Sequence, residues 1–190
     1  MRCVVGAEGN LRPLCQRADD VEDAEPAEGA PGFTIEDFLA LAPASATLHS
    51  EPAGLAIRGL PTNFYAAASA HTRSGPLLGQ PVTAQFIPVA YSWDFGDGST
   101  ALTETPGAPW NDEANEFTET PTSHVYADKG TYTVQLTTHY AVRATIGDGL
   151  WWDIPGTLPI ASPPMSLQVY SVNTVLVDKD CTEDPSGVGC

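Results

Sequence analysis

The chain has 190 residues, 42% of them apolar, and a formal net charge of −16 with only eight lysines and arginines in total. That length holds one β-sandwich of roughly 100 residues plus appendages. The charge argues against a nucleic-acid partner, whose phosphates call for clustered basic side chains, and against anionic membrane surfaces.

Residues 1–32 read as an acidic, flexible arm. Asp19, Asp20, Glu22, Asp23, Glu25 and Glu28 stand together with no basic residue among them, and Pro26, Gly29, Pro31 and Gly32 break any helix. Such a segment buries too little apolar surface to offset its chain entropy. Its first ten residues carry too short an apolar stretch for a signal peptide, so an exported protein would start upstream. No apolar run approaches the roughly 18–20 residues of a transmembrane helix, and no membrane span is expected.

Residues 33–47 read as a short docking helix and a linker. Thr34 caps the helix with Asp37 three residues on, Pro43 stops it, and Phe38, Leu41 and Ala42 are its packing residues. Strands are expected over 47–51, 55–59 and 63–69. Residues 75–81 form a Gly/Pro-rich spacer, followed by a strand over 82–93 that Pro88 marks as bulged or at an edge. A long loop spans 100–122. Strands follow over 123–127 and 131–145, and the turn Gly147-Asp148-Gly149 leads to 151–154, so that 131–160 reads as a long hairpin. Residues 165–177 supply a further edge strand, and 178–190 a cysteine-closed tail.

Two blocks carry most of the information. In the first, Tyr91, Trp93 and Phe95 alternate with the period of a strand, and Gly96-Asp97-Gly98 then breaks it into a turn. In the second, His124-Val125-Tyr126 precedes Gly130, after which Tyr132, Val134 and Leu136 take one face of a strand and threonines the other. Together these blocks resemble the signature of the polycystic kidney disease (PKD) domain. The resemblance implies an all-β, immunoglobulin-like sandwich over residues 48–177. It also implies an extracellular setting, a binding or spacing role without catalysis, and structural roles for Trp93, Asp94, Phe95, Gly96, Asp97, Gly98, His124, Tyr126, Gly130 and Tyr132. Through Gly59-Leu60-Pro61-Thr62-Asn63-Phe64 and its cysteine-bounded tail the chain is also similar to small exported PKD-domain-containing proteins of actinobacteria.

The four cysteines, Cys3, Cys15, Cys181 and Cys190, lie at the extremes of the chain. Their spacing does not suggest zinc. Cys181 with Cys190 and Cys3 with Cys15 are natural pairs, cross-pairing of the termini is also open, and four cysteines allow three connectivities. Disulfides would place the protein in an oxidising compartment, secreted or at the cell surface.

For chemistry the candidates are few. Asp94 and Asp97 offer a carboxylate pair, but aspartates this close in a turn commonly hold backbone amides. Calcium wants six to eight oxygen ligands, and Asp97 with Asp112, Glu113 and Glu116 could supply some of them, although no EF-hand pattern is present. The histidines at 49, 71, 124 and 139 form no zinc-binding pair, and no nucleophile elbow occurs. Trp110, Trp151 and Trp152 are the candidate recognition residues, since exposed tryptophans are enriched in binding hot spots. The leading expectation is a non-catalytic surface module that binds another surface protein. A carbohydrate-binding module, calcium-assisted or not, comes second, and an accessory domain of a secreted enzyme third.

Overall fold

The computed structural model describes residues 2–4, 14–16, 32–111, 116–173, 181–183 and 185–187. In chain order the elements are β1 (Arg2–Val4), β2 (Leu14–Gln16), a 3-10 helix (Ile35–Leu41), β3 (Thr47–Glu51), β4 (Leu55–Ile57), β5 (Pro61–Ala67), β6 (His71–Leu77), β7 (Gln80–Asp94), β8 (Thr100–Thr103), β9 (His124–Val125), β10 (Gly130–Thr145), β11 (Trp152–Ala161) and β12 (Met165–Tyr170). Within the segment expected to be a flexible arm, β1 and β2 pair antiparallel with Cys3 opposite Cys15.

The larger sheet runs β4-β12-β10-β7-β6, with β11 beside the later part of β10 and β8 beside the end of β7. The smaller sheet, β3-β5-β9, faces it. Two long strands, β7 and β10, make the spine, pairing from Asp94↔Gln135 to Thr83↔Thr145. Along β10 the even-numbered residues Val134, Leu136, Thr138, Tyr140, Val142 and Ala144 all point inward. On β7 the buried positions change parity, from Val82, Ala84 and Phe86 to Tyr91 and Trp93. The pairing skips Val89 between Pro88 and Ala90, and this one extra residue is a β-bulge that restores the inward face.

The spine passes through two cores. Phe64, Tyr91, Trp93, Phe95, Tyr126 and Leu136 lead the first, where the smaller sheet closes the sandwich. In the second, Phe38, Leu41, Phe86, Tyr140, Val142 and Leu158 pack where the sheet extends beyond that sheet and the helix covers it. A 3-10 helix has three residues per turn, so Ile35, Phe38 and Leu41 stack on one face, and Phe38 is fully buried. The helix crosses β6 at Gly75, where a Cβ would meet Leu41 Cδ2 at 3.0 Å. Asp37 Oδ2 accepts hydrogen bonds from the Thr34 amide (2.7 Å) and hydroxyl (2.9 Å), which fixes the helix start. The linker is pinned at Ala44, whose carbonyl accepts from Tyr140 Oη and whose amide donates to His71 Nε2.

Several expectations change. Ala42 is exposed rather than packed, because it takes the left-handed conformation (φ 47) that ends the helix. The 75–81 spacer is the tip of a hairpin, β6–β7, turned by Leu78 and Gly79 at φ 49 and 81. Positive φ at both positions suits a two-residue hairpin, and a leucine there gives no turn signal. The expected 100–122 loop begins as strand β8, paired to β7. Strand β12 ends at Tyr170, and residues 174–177 lie outside the described residues.

Candidate binding surface

At one end of the spine the Gly-Asp-Gly turn is held by its own side chains. Asp94 Oδ1 accepts from the Gly96 amide (2.9 Å), and Asp97 Oδ1 from the Ser99 amide (2.9 Å). Asp97 Oδ2 lies 2.7 Å from His124 Nε2. The His124 ring stacks on Phe95 at 4.2 Å and meets Tyr126 edge-on. Below it, Tyr126 Oη donates to the buried Phe95 carbonyl (3.0 Å), and the Tyr126 ring leans on Tyr132. Gly96 sits at φ +80, where a Cβ would come within 2.5 Å of the Thr133 carbonyl oxygen. Burial works to raise the Asp97 carboxyl, but hydrogen bonds from His124 and Ser99 and the nearby His124 charge outweigh it and hold the group below the usual range. Burial, aided by the Asp97 charge, pushes the Tyr126 phenol well above its ordinary value. Both aspartates are engaged with this turn.

Residues 104–111 and 116–123 strap over β5. The Ala66 amide donates to the Pro106 carbonyl (2.8 Å), and Thr122 Oγ1 donates to the Phe64 carbonyl (2.5 Å). Buried Asn63 donates to Glu51 Oε2 and to the Ala108 carbonyl, and accepts from Thr120 Oγ1. Glu51 Oε2 also receives the Trp110 amide at 2.7 Å. The Trp110 ring is half-buried against Phe117, and its indole N–H has no partner among the described residues. Trp110 is thus tied into the strap, not presented on a free loop. Glu116 is exposed at the strap's surface, while Asp112 and Glu113 lie outside the described residues. Among the described residues no group of three or more His, Cys, Asp or Glu side chains could hold a metal ion.

The opposite end of the spine is apolar. Leu78 at the β6–β7 tip is 68% exposed, and Leu150 and Trp151, between β10 and β11, are 60% and 43% exposed. Turn chemistry fixes their positions. Thr145 Oγ1 accepts from the Gly147 amide (3.2 Å), and Asp148 Oδ1 accepts from the Leu150 amide (3.1 Å). Between the tips lies an open groove of ≈ 550 Å³ whose lining includes Pro76, Gly79, Pro81, Val82, Ile146 and Gly147. Trp152 begins β11 opposite Ala144 and is half-buried. The three candidate tryptophans are therefore divided, with Trp110 on the strap, Trp151 exposed at this end, and Trp152 half-buried beside it.

The outer face of the spine holds a pair that the sequence did not reveal. Ser92 Oγ and His139 Nε2 are 2.8 Å apart across β7 and β10, 47 positions apart in sequence. Burial lowers the His139 pKa, favouring the neutral ring. Among the described residues no carboxylate bonds its other ring nitrogen, and the backbone amides around it belong to the strand ladder. Among the described residues the pair therefore has no orienting acid of the kind a serine hydrolase uses. Nearby, Arg143 Nε meets Asp153 Oδ1 at 2.8 Å on exposed side chains.

Cys181 is disulfide-bonded. Among the described residues no helix is long and apolar enough to cross a membrane. Residues 63–145 match the family model of the PKD domain. Comparison with curated proteins gave no match.

Proposed function

Taking as premise that residues 63–145 are a PKD domain, an immunoglobulin-like fold typical of extracellular proteins, we propose that this chain is a non-catalytic module that binds another surface protein. The observation that carries this reading is the preformed apolar end, where Leu78, Leu150 and Trp151 stand exposed beside the groove. A tip already fixed by its turn bonds loses little entropy on binding, and a projecting tryptophan is a typical anchor. The rest of the molecule acts as a rigid mount. A secreted or cell-surface location is supported by the disulfide at Cys181 and by the opposition of Cys3 and Cys15, which we pair with each other, leaving Cys190 for Cys181.

The test is capture from the solubilised envelope of the producing organism, with the full chain as bait. The expected result is a defined protein that survives glycosidase treatment and binds about 30-fold more weakly to Trp151→Ala. Capture of a polysaccharide, lost in the same variant, would replace the reading with carbohydrate binding. A parallel arm with chelator tests the calcium dependence that the acidic strap raises.

A further inference from the structure

We propose that the apolar end takes a protein surface whose apolar pocket is rimmed by lysine or arginine, with Asp148 as the ionic contact. The inference rests on the protein-binding reading above and specifies its partner. Asp148 stands at the apex of the β10–β11 turn. One carboxylate oxygen accepts from the Leu150 amide at 3.1 Å, and the other has no hydrogen-bond or ion-pair partner among the described residues. Ile146, Leu150 and Trp151 flank it along the chain, and the groove lined by Gly79 and Gly147 separates it from the β6–β7 tip that carries exposed Leu78. The basic residue of the adjoining stretch of β10, Arg143, is already paired with Asp153.

Docking these apolar side chains removes water from the carboxylate among them. An unpaired charge at a desolvated site is costly, so the complementary surface must bring a cation or strong donors. The net charge of −16 favours the same partner at long range. A lipid surface fits less well. The apex carboxylate would enter first and lose its hydration, and the overall charge repels anionic headgroups. A glycan fits less well too, because neighbouring strand residues point to opposite faces, so half-buried Trp152 does not share a platform with exposed Trp151.

The experiment places a photo-crosslinking phenylalanine analogue at position 78, 150, 102 or 125 of the full chain on the producing organism's envelope. All four native side chains are exposed, so the substitutions leave the cores intact. Crosslinks from 78 and 150 to one protein, at a segment containing lysine or arginine, are expected. With that protein purified, Asp148→Asn keeps the turn bond and lowers the association rate about tenfold at low salt, a difference that fades as ionic strength rises. Crosslinks from 102 or 125 alone would sink this surface while leaving protein binding intact. A salt profile unchanged by Asp148→Asn would sink the basic partner, and lipid adducts from 78 and 150 would replace it with a membrane. No protein adduct from any position would overturn both proposals.

Discussion

The two cores share a spine and differ in everything that closes them. In the sandwich, a second sheet covers β7 and β10, and the Asp97–His124–Phe95–Tyr126 stack ties the turn to the strand that follows it. In the extension the lid is seven residues of 3-10 helix seated by Phe38 and Leu41. The sandwich is thus closed by a whole sheet and a hydrogen-bonded aromatic stack, whereas the extension is closed by one short helix, pinned by Tyr140 and His71 at Ala44, and ends in exposed leucines. Rigidity is concentrated at one end and binding capacity at the other, a usual division between scaffold and recognition surface.

Core truncation tests that contrast most severely. Phe64 and Phe38 are each fully buried, and either change to alanine costs about 3–5 kcal/mol. Phe64→Ala should lower hydrogen-exchange protection throughout the spine. Phe38→Ala should expose β6 and β11 amides first while β5 and β12 stay protected. Identical exchange patterns would make the two cores one cooperative unit. Glycine replacements probe the turns with smaller effect. Gly96→Ala meets both positive φ and the Thr133 backbone, whereas Gly147, at φ +91, has open space around it. Gly147→Ala should therefore cost only the left-handed strain of about 1–2 kcal/mol, and Gly96→Ala clearly more, as read from denaturation midpoints.

Acid titration gives the finest comparison. The folded pKa of Asp97 lies below its unfolded value of about 3.9, so its stabilisation is complete above that value and is lost as pH falls through the folded pKa. Asp97→Asn should flatten that limb. The folded pKa of His139 lies below its unfolded value of about 6.5. On acidification the unfolded chain takes up that proton first, so stability declines from about pH 6.5 down to the folded pKa. His139→Gln should remove this earlier decline and leave the Asp97 limb in place, which melting temperatures across pH 3–8 would show (roughly the span of both values).

Sequence reading reached the sandwich because its signals are local. Tyr91 and Trp93 alternate within one strand, with Phe95 just past its end, and Asp94 and Asp97 bond amides two residues away. The extension was harder to read. Thr72, Arg73 and Ser74 lie exposed on edge strand β6 and give no apolar alternation, and the turn beyond them places a leucine at positive φ. The Ser92–His139 pair depends on register between distant strands, which no spacing rule supplies. The strap looked like a free loop because its anchors, Glu51 and Asn63, come some 50 residues earlier. The exposed end was half visible: Gly147-Asp148-Gly149 announced a turn beside Trp151, but Leu78 joins it only through the pairing of β7 with β10.

The skipped residue at Val89 gives strand β7 something like a reading frame. Upstream of it the inward positions are even-numbered, downstream odd, and one supernumerary residue reconciles the two phases. Loss of that residue would be a frameshift in space: Val82, Ala84 and Phe86 would turn to solvent together while Tyr91 and Trp93 kept their places. Changes of length in this strand are therefore tolerated in pairs.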